Sequence, residues 1–190
     1  MNLAEALAVV LGLISVYLMT RQEVWCYPLG IVSVFIYIFI FLEVKLYADM
    51  ALQVFFIVLQ AYGWYEWLYG GEQKSELKVS RISRRIIIIS IVFVVFATAI
   101  VGYALHQFTD AALPYVDSFL AVLSMTAQWY IARKYIENWH LWVVVNIGSI
   151  AMYTFKELYF TAFLYAVYLG LAIVGYREWK KELSAEYVSV

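Results

Sequence analysis

The chain is poor in the residues that do chemistry. It has one cysteine, two histidines and two prolines among 190 residues. A single thiol, Cys26, cannot close an intrachain disulfide and says little about redox compartment. Both histidines, His106 and His140, stand at the ends of apolar segments, so no Ser/His/Asp set can be assembled from them. No cluster of His, Cys, Asp and Glu has metal-site spacing, and no glycine-rich phosphate loop or nucleotide-binding motif occurs. No cofactor is therefore expected, and ATP-driven pumping by this chain alone is disfavoured. Charge is scarce too: 14% of residues carry it and the net value is −1, which leaves no electrostatic footprint for nucleic acid.

What the chain has is apolar surface. Hydrophobic residues make up 65% of it, with 17 Tyr, 12 Phe and 7 Trp. Soluble domains run at about 45–50%, so the excess needs lipid as its solvent. Spans of about 20 apolar residues are long enough to cross a bilayer. Seven are expected, over 3–20, 25–42, 47–69, 86–106, 113–132, 139–155 and 158–177. The first lacks a basic leader and an obvious cleavage site, so residues 3–19 read as a retained span rather than a signal peptide. Pro28 and Pro114 suit first helical turns.

Basic residues set the expected orientation. The ends after spans 1, 3, 5 and 7 carry Arg21, Lys74, Lys78, Arg81, Arg84, Arg85, Arg133, Lys134, Arg177, Lys180 and Lys181, whereas the opposite ends carry only Lys45 and Lys156. The positive-inside rule puts the first group in the cytoplasm, the N-terminus outside and the C-terminus inside.

A short phrase occurs twice. Gly63-Trp64-Tyr65-Glu66-Trp67 returns as Gly175-Tyr176-Arg177-Glu178-Trp179, 112 positions later; Lys45-Leu46-Tyr47 returns as Glu157-Leu158-Tyr159, and Arg21 as Arg133. Trp25 pairs with Trp139 only at an offset of 114, which implies two residues gained in the 133–138 turn. Three spans per copy leave the chain on the wrong side, so one extra crossing is needed, and the Ile/Val-rich fourth span supplies it. The expected fold is an all-α integral membrane protein of seven transmembrane helices in 3+1+3 parallel repeats, SWEET-like in layout. Its parts are a first repeat over 1–70, a basic cytoplasmic loop and linker helix over 71–110, a second repeat over 111–180 and a tail over 181–190.

Polar side chains within spans are costly and tend to face a bundle's interior. Trp139, Trp142, Asn146, Ser149 and Tyr153 fall on one stripe of the sixth span. Asp117, Ser124 and Gln128 share a face of the fifth; Asp49, Gln53, Gln60, Trp64 and Trp67 share one of the third. Converging stripes would form a cage of flat aromatic walls with amide and carboxylate fixers, suited to a small cationic ring. Blander roles compete. Trp139 also reads as an interfacial anchor, Asn146 as interhelical glue, and Asp49 and Asp117 as solvated end residues. At the 114 offset the counterparts of Trp142, Asn146 and Tyr153 are Pro28, Val32 and Phe39, so the second copy carries the polar contacts.

These residues resemble a known family. Trp25-x-x-Pro28-Leu29-Gly30, Leu46-Tyr47-Ala48-Asp49-Met50-x-x-Gln53 and Tyr62-Gly63-Trp64 look like the first half of the nicotinamide riboside transporter (PnuC) family. Gln128-Trp129-x-x-Ala132-Arg133-Lys134-x-x-Glu137-Asn138-Trp139-x-x-Trp142-x-x-x-Asn146 looks like its second half. The resemblance implies a homotrimer in a bacterial inner membrane. It also implies facilitated diffusion of a vitamin precursor, trapped afterwards by a cytoplasmic kinase. Trp142, Asn146, Gln128, Trp139, Gln53, Gln60, Tyr153, Asp49 and Asp117 are the candidate substrate contacts. Thiamine, which the family also carries, is an alternative substrate. A sugar uniporter on the same fold and a non-transporting membrane partner are rival classes.

Overall fold

The computed structural model describes residues 3–43, 47–109 and 112–188; within these, the side chains of 47–49, 51 and 186–188 lie outside the description. Seven α-helices run among the described residues: α1 (Leu3–Thr20), α2 (Cys26–Glu43), α3 (Tyr47–Tyr69), α4 (Arg84–Phe108), α5 (Pro114–Ala132), α6 (Asn138–Phe155) and α7 (Tyr159–Val188). No strand forms among them, only one isolated bridge between Ser80 and Tyr135. The first six helices start and stop within two residues of the expected spans. Pro114 opens α5 at its first turn, and Ser83 caps α4 by accepting a bond from the Ile86 amide at 3.4 Å.

Four helices, α1, α2, α4 and α7, are long and apolar enough to cross a membrane. The other three, α3, α5 and α6, are the ones that carry the amide and carboxylate stripes. Large apolar side chains, such as Ile88, Ile91, Val95, Phe96 and Ile100 of α4, point outward and are half or more exposed. In water that surface would be untenable; in lipid it is the solvated face. The chain is a multi-pass membrane protein.

The last helix runs further than expected. At 30 residues and 1.5 Å per residue it is about 45 Å long, beyond the roughly 30 Å hydrocarbon core. Past Arg177 the sequence turns charged, yet Trp179 and Leu183, one turn apart, are buried in the same cluster as Met19, Cys26, Tyr27, Trp67, Val79 and Ile131. An amphipathic extension docked on this cluster continues the helix.

The basic segment after α3 is also more than a polar tether. A 3-10 turn over Glu72–Lys74 leads into extended chain that crosses the end of the bundle. Val79 and Ile82 are buried there, and Ser80 exchanges backbone bonds with Lys134 and Ile136, each at 3.0 Å.

Contacts recur at a constant offset of 112, which corrects the two-residue insertion expected from Trp25 and Trp139. The starts of α2 and α6, Cys26 and Asn138, are 112 apart, as are those of α3 and α7, Tyr47 and Tyr159. Gln22 and Lys134, also 112 apart, both adopt positive φ, 59° and 50°, where α1 and α5 end. The counterpart of Trp139 is therefore Tyr27. Tyr27 meets Trp67 edge-on at 5.1 Å and 87°; Trp139 meets Trp179 at 5.4 Å and 87°. Gly63 and Gly175 let these rings lie on the α3 and α7 backbones: a Cβ at Gly63 would strike Tyr27, and one at Gly175 would strike Trp139. Trp25, which shares only its letter with Trp139, is 71% exposed against 1%. The counterparts of Trp142, Asn146 and Tyr153 become Gly30, Val34 and Phe41. Lys45 and Leu46, part of the expected repeat, lie outside the described residues.

Candidate functional site

Burial sorts the polar stripes. Asn146, Gln60 and Gln128 are 3%, 6% and 7% exposed, and none has a hydrogen-bond partner among the described residues. Their amide atoms are not among the fully enclosed unpaired ones, so water or a solute can reach them and supply the bonds that the chain does not. Trp142 adds to the set: its Nε1 donor is buried without an acceptor. These four come from α3, α5 and α6, which pack in sequence, α3 on α5 and α5 on α6.

Depth along the bundle groups them in pairs. Gln128 lies four residues from the end of α5 at Ala132, and Trp142 four residues from the start of α6 at Asn138. At 1.5 Å per residue both are about 6 Å in from the end that bears the basic segment. Gln60, nine residues from Tyr69, and Asn146, eight from Asn138, lie about 12–14 Å in. The carbonyl oxygen of Gln60 lies against Gly30, beside the Ser15 hydroxyl, and any Cβ at Gly30 would collide with it. Ser15 itself donates to the Cys26 carbonyl at 2.7 Å and is no longer a free donor.

The remaining candidates sit elsewhere or are already engaged. Ser124 donates to the Ala121 carbonyl at 2.8 Å. Asp117 is paired with Lys156 at 3.2 Å, joining the far ends of α5 and α6. Gln53 is half-buried on α3, six residues from its start. Tyr153 stacks on Tyr165 at 5.3 Å and 20°. Trp139 is packed between Gly175 and Trp179 at the end that bears the basic segment; its Nε1 and the Tyr27 hydroxyl, equivalent positions, both lack partners. Asp49 is named among the candidates, but its side chain lies outside the described residues. Among the described residues no group of three metal-ligating side chains occurs.

Sequence reading missed two sets. One is Tyr165 and Tyr168 on α7, three residues apart, whose rings meet at 6.2 Å; Tyr165 is in hydrogen-bonding reach of Tyr153 and Ser149. Their i, i+3 spacing was the available signal. The other is the Trp67–Trp179 pair at 5.8 Å: by sequence Trp67 reads as part of the stripe of the third span and as half of the repeat, and its contact with Trp179 shows only in the structure.

A lipid-embedded helical bundle that buries amides and indoles along its interior fits a membrane transporter. The chain belongs to the family described as nicotinamide mononucleotide transporter, which matches residues 2–181. It is 28% identical to the nicotinamide riboside transporter PnuC of Escherichia coli K12, over 92% of this chain and 84% of that one. It is 25% identical to the riboflavin/roseoflavin transporter RibM of Streptomyces davaonensis, over 90% and 81%. Among solved structures, the crystal structure of the vitamin B3 transporter PnuC superposes with a TM-score of 0.75 at 27% identity, covering 96% of this chain and 82% of that one.

Proposed function

We propose that the chain takes up nicotinamide riboside by facilitated diffusion, with Trp142, Asn146, Gln128 and Gln60 holding the vitamin between the first turn and the middle of the bundle on its basic side. The observation that carries this is the Trp142 indole N–H, enclosed without an acceptor, on helices that also bury three amides not bonded to any described residue. A carboxamide offers both a donor and an acceptor, which side-chain amides can meet in pairs. The pyridinium is a cation for an indole face, and the ribose hydroxyls suit the remaining amide. Gln53 and Tyr153 extend the lining toward the outer end, Trp139 backs Trp142 from the inner end, and Asp117 and Asp49 stand at the outer rim. The names of the PnuC relatives support the substrate.

The architecture in this reading is 3+1+3, two parallel three-helix copies joined by α4, over 1–70 and 111–180. The constant 112 offset supports it. The excess of Lys and Arg on one face supports an outside N-terminus and a cytoplasmic C-terminus in a bacterial inner membrane. Alternating access comes from rocking of the copies about a central site. A homotrimer, and trapping of the product by a cytoplasmic kinase, complete the proposal.

RibM favours one rival ring, riboflavin. Uptake of labelled nicotinamide riboside into liposomes, with riboflavin, thiamine and glucose as competitors, separates the options. Inhibition by unlabelled nicotinamide riboside alone is expected. Uptake that only riboflavin, only thiamine or only the sugar suppresses overturns the assignment.

A further inference from the structure

We infer that the inner mouth opens along one seam, between α1 and α7, while the α3–α5 seam serves as its hinge. The inference rests on the alternating-access reading above. Both seams are built from the same parts, 112 residues apart. On one, the Trp67 indole donates to the Ile131 carbonyl at 2.9 Å; on the other, Trp179 donates to Met19 at 3.2 Å. Each bond crosses from one three-helix set to the other, so the mouth cannot part without breaking at least one.

The seams differ in what braces them. Arg133 pairs with Glu66 at 2.7 Å across the α3–α5 seam. Its counterpart Arg21 stands 3.9 Å from Glu178, whose other oxygen Lys181 holds at 2.7 Å. The backbone hydrogen bonds of the 75–83 segment then stitch the α3–α5 seam, while its Val79 packs in the cluster that also holds Met19 and Trp179. The Leu77 amide donates to the Trp67 carbonyl at 3.1 Å, and Ser80 bridges Lys134 and Ile136 in the turn after α5. The Ile82 amide donates to Glu137 at 3.1 Å. Lys134 lies over the Trp67 ring at 4.5 Å. Against these, the further tie that the described residues show across the α1–α7 seam is an exposed one, Gln22 to Glu182. That tie borders a cavity of about 550 Å³ lined by Gln22, Leu77, Lys134 and Glu182 among others, where water competes for it.

The chain carries its own reporter. Cys26, the only thiol, is fully buried in the cluster that holds both indoles. Its alkylation by a maleimide therefore reads opening of the mouth and needs no vitamin, so the result stands apart from the substrate assignment. Losing one hydrogen bond of about 1 kcal/mol changes an opening equilibrium by a factor of about 5. Trp179→Phe is expected to speed labelling about fivefold, and Trp67→Phe less than twofold. Equal acceleration, a larger effect of Trp67→Phe, or no effect of either overturns the assignment. Hydrogen exchange on the unmodified chain gives a second reading that does not depend on a variant folding. Amides 19–25 should exchange faster than their counterparts 131–137; equal or reversed rates overturn the hinge.

Discussion

Two depths of this bundle obey opposite rules. At the end that bears the basic segment, aromatic rings interlock and the Trp67 and Trp179 donors are spent on carbonyls across the seams. Gln128, about one turn in, and Gln60 and Asn146, two to three turns in, are also buried, and no hydrogen bond ties them to a described residue. Ring packing dominates the first region, although it leaves the Trp139 Nε1 and the Tyr27 hydroxyl enclosed without partners. In the second, the amides are left open to an outside partner, the role that the proposed function gives them.

Substitutions break this contrast in opposite ways. The largest effect should come from Trp67→Ala, which empties a core site 1% exposed. Cavity costs of about 3–5 kcal/mol predict loss of folded protein, read as yield of monodisperse material in detergent. Asn146→Leu should do the reverse. Removing an unpartnered amide keeps or raises the melting temperature, while uptake of nicotinamide riboside falls about 10- to 100-fold, the worth of about 1–3 kcal/mol. A variant that loses stability and retains uptake would place Asn146 among structural residues.

Gly63→Ala and Gly175→Ala sharpen the comparison between copies. Each added methyl meets a ring, Tyr27 or Trp139, and overpacking of this kind costs about 1–3 kcal/mol. Similar drops in melting temperature are expected from both. Asp117→Asn should do least. Its ion pair with Lys156 is about a quarter exposed, so a loss below about 1 kcal/mol and uptake within twofold of the parent are expected.

A pH scan isolates Lys134. Burial pulls its amine below the ordinary 10.5, with Glu182 and Glu76 opposing. Between the folded value and 10.5 the unfolded chain holds more protons, so this group's contribution to stability rises with pH across that window. At lower pH the penalty is constant. Lys134→Met should flatten the rise in melting temperature; an unchanged slope would show that the amine is solvated.

Much of the fold was legible because hydropathy and turn residues carry it. The apolar runs delivered all seven helices, and the polar stripes pointed to α3, α5 and α6, where the unpartnered amides lie. Three things were hidden. Matching Trp25 to Trp139 by letter obscured Tyr27, since an aromatic ring, not an indole, is what the site under Gly63 requires. Charge after Arg177 disguised the extension of α7, whose burial depends on Trp179 and Leu183 meeting a surface formed by distant segments. The 71–83 segment read as a basic loop, although Val79 and Ile82 in it were apolar enough to anchor it. In the site, side-chain type was readable but engagement was not: Ser124 and Asp117 have the right chemistry, and only coordinates show both occupied by neighbours.

The central claim is that unpartnered mid-bundle amides hold a vitamin ring beside Trp142. Its most direct test is a titration of purified protein with nicotinamide riboside, following tryptophan fluorescence, in the parent and in Asn146→Leu. The account predicts saturable quenching in the parent and at least a tenfold weaker midpoint in the variant. Identical curves for the two proteins, or no saturable quenching in either, would contradict it.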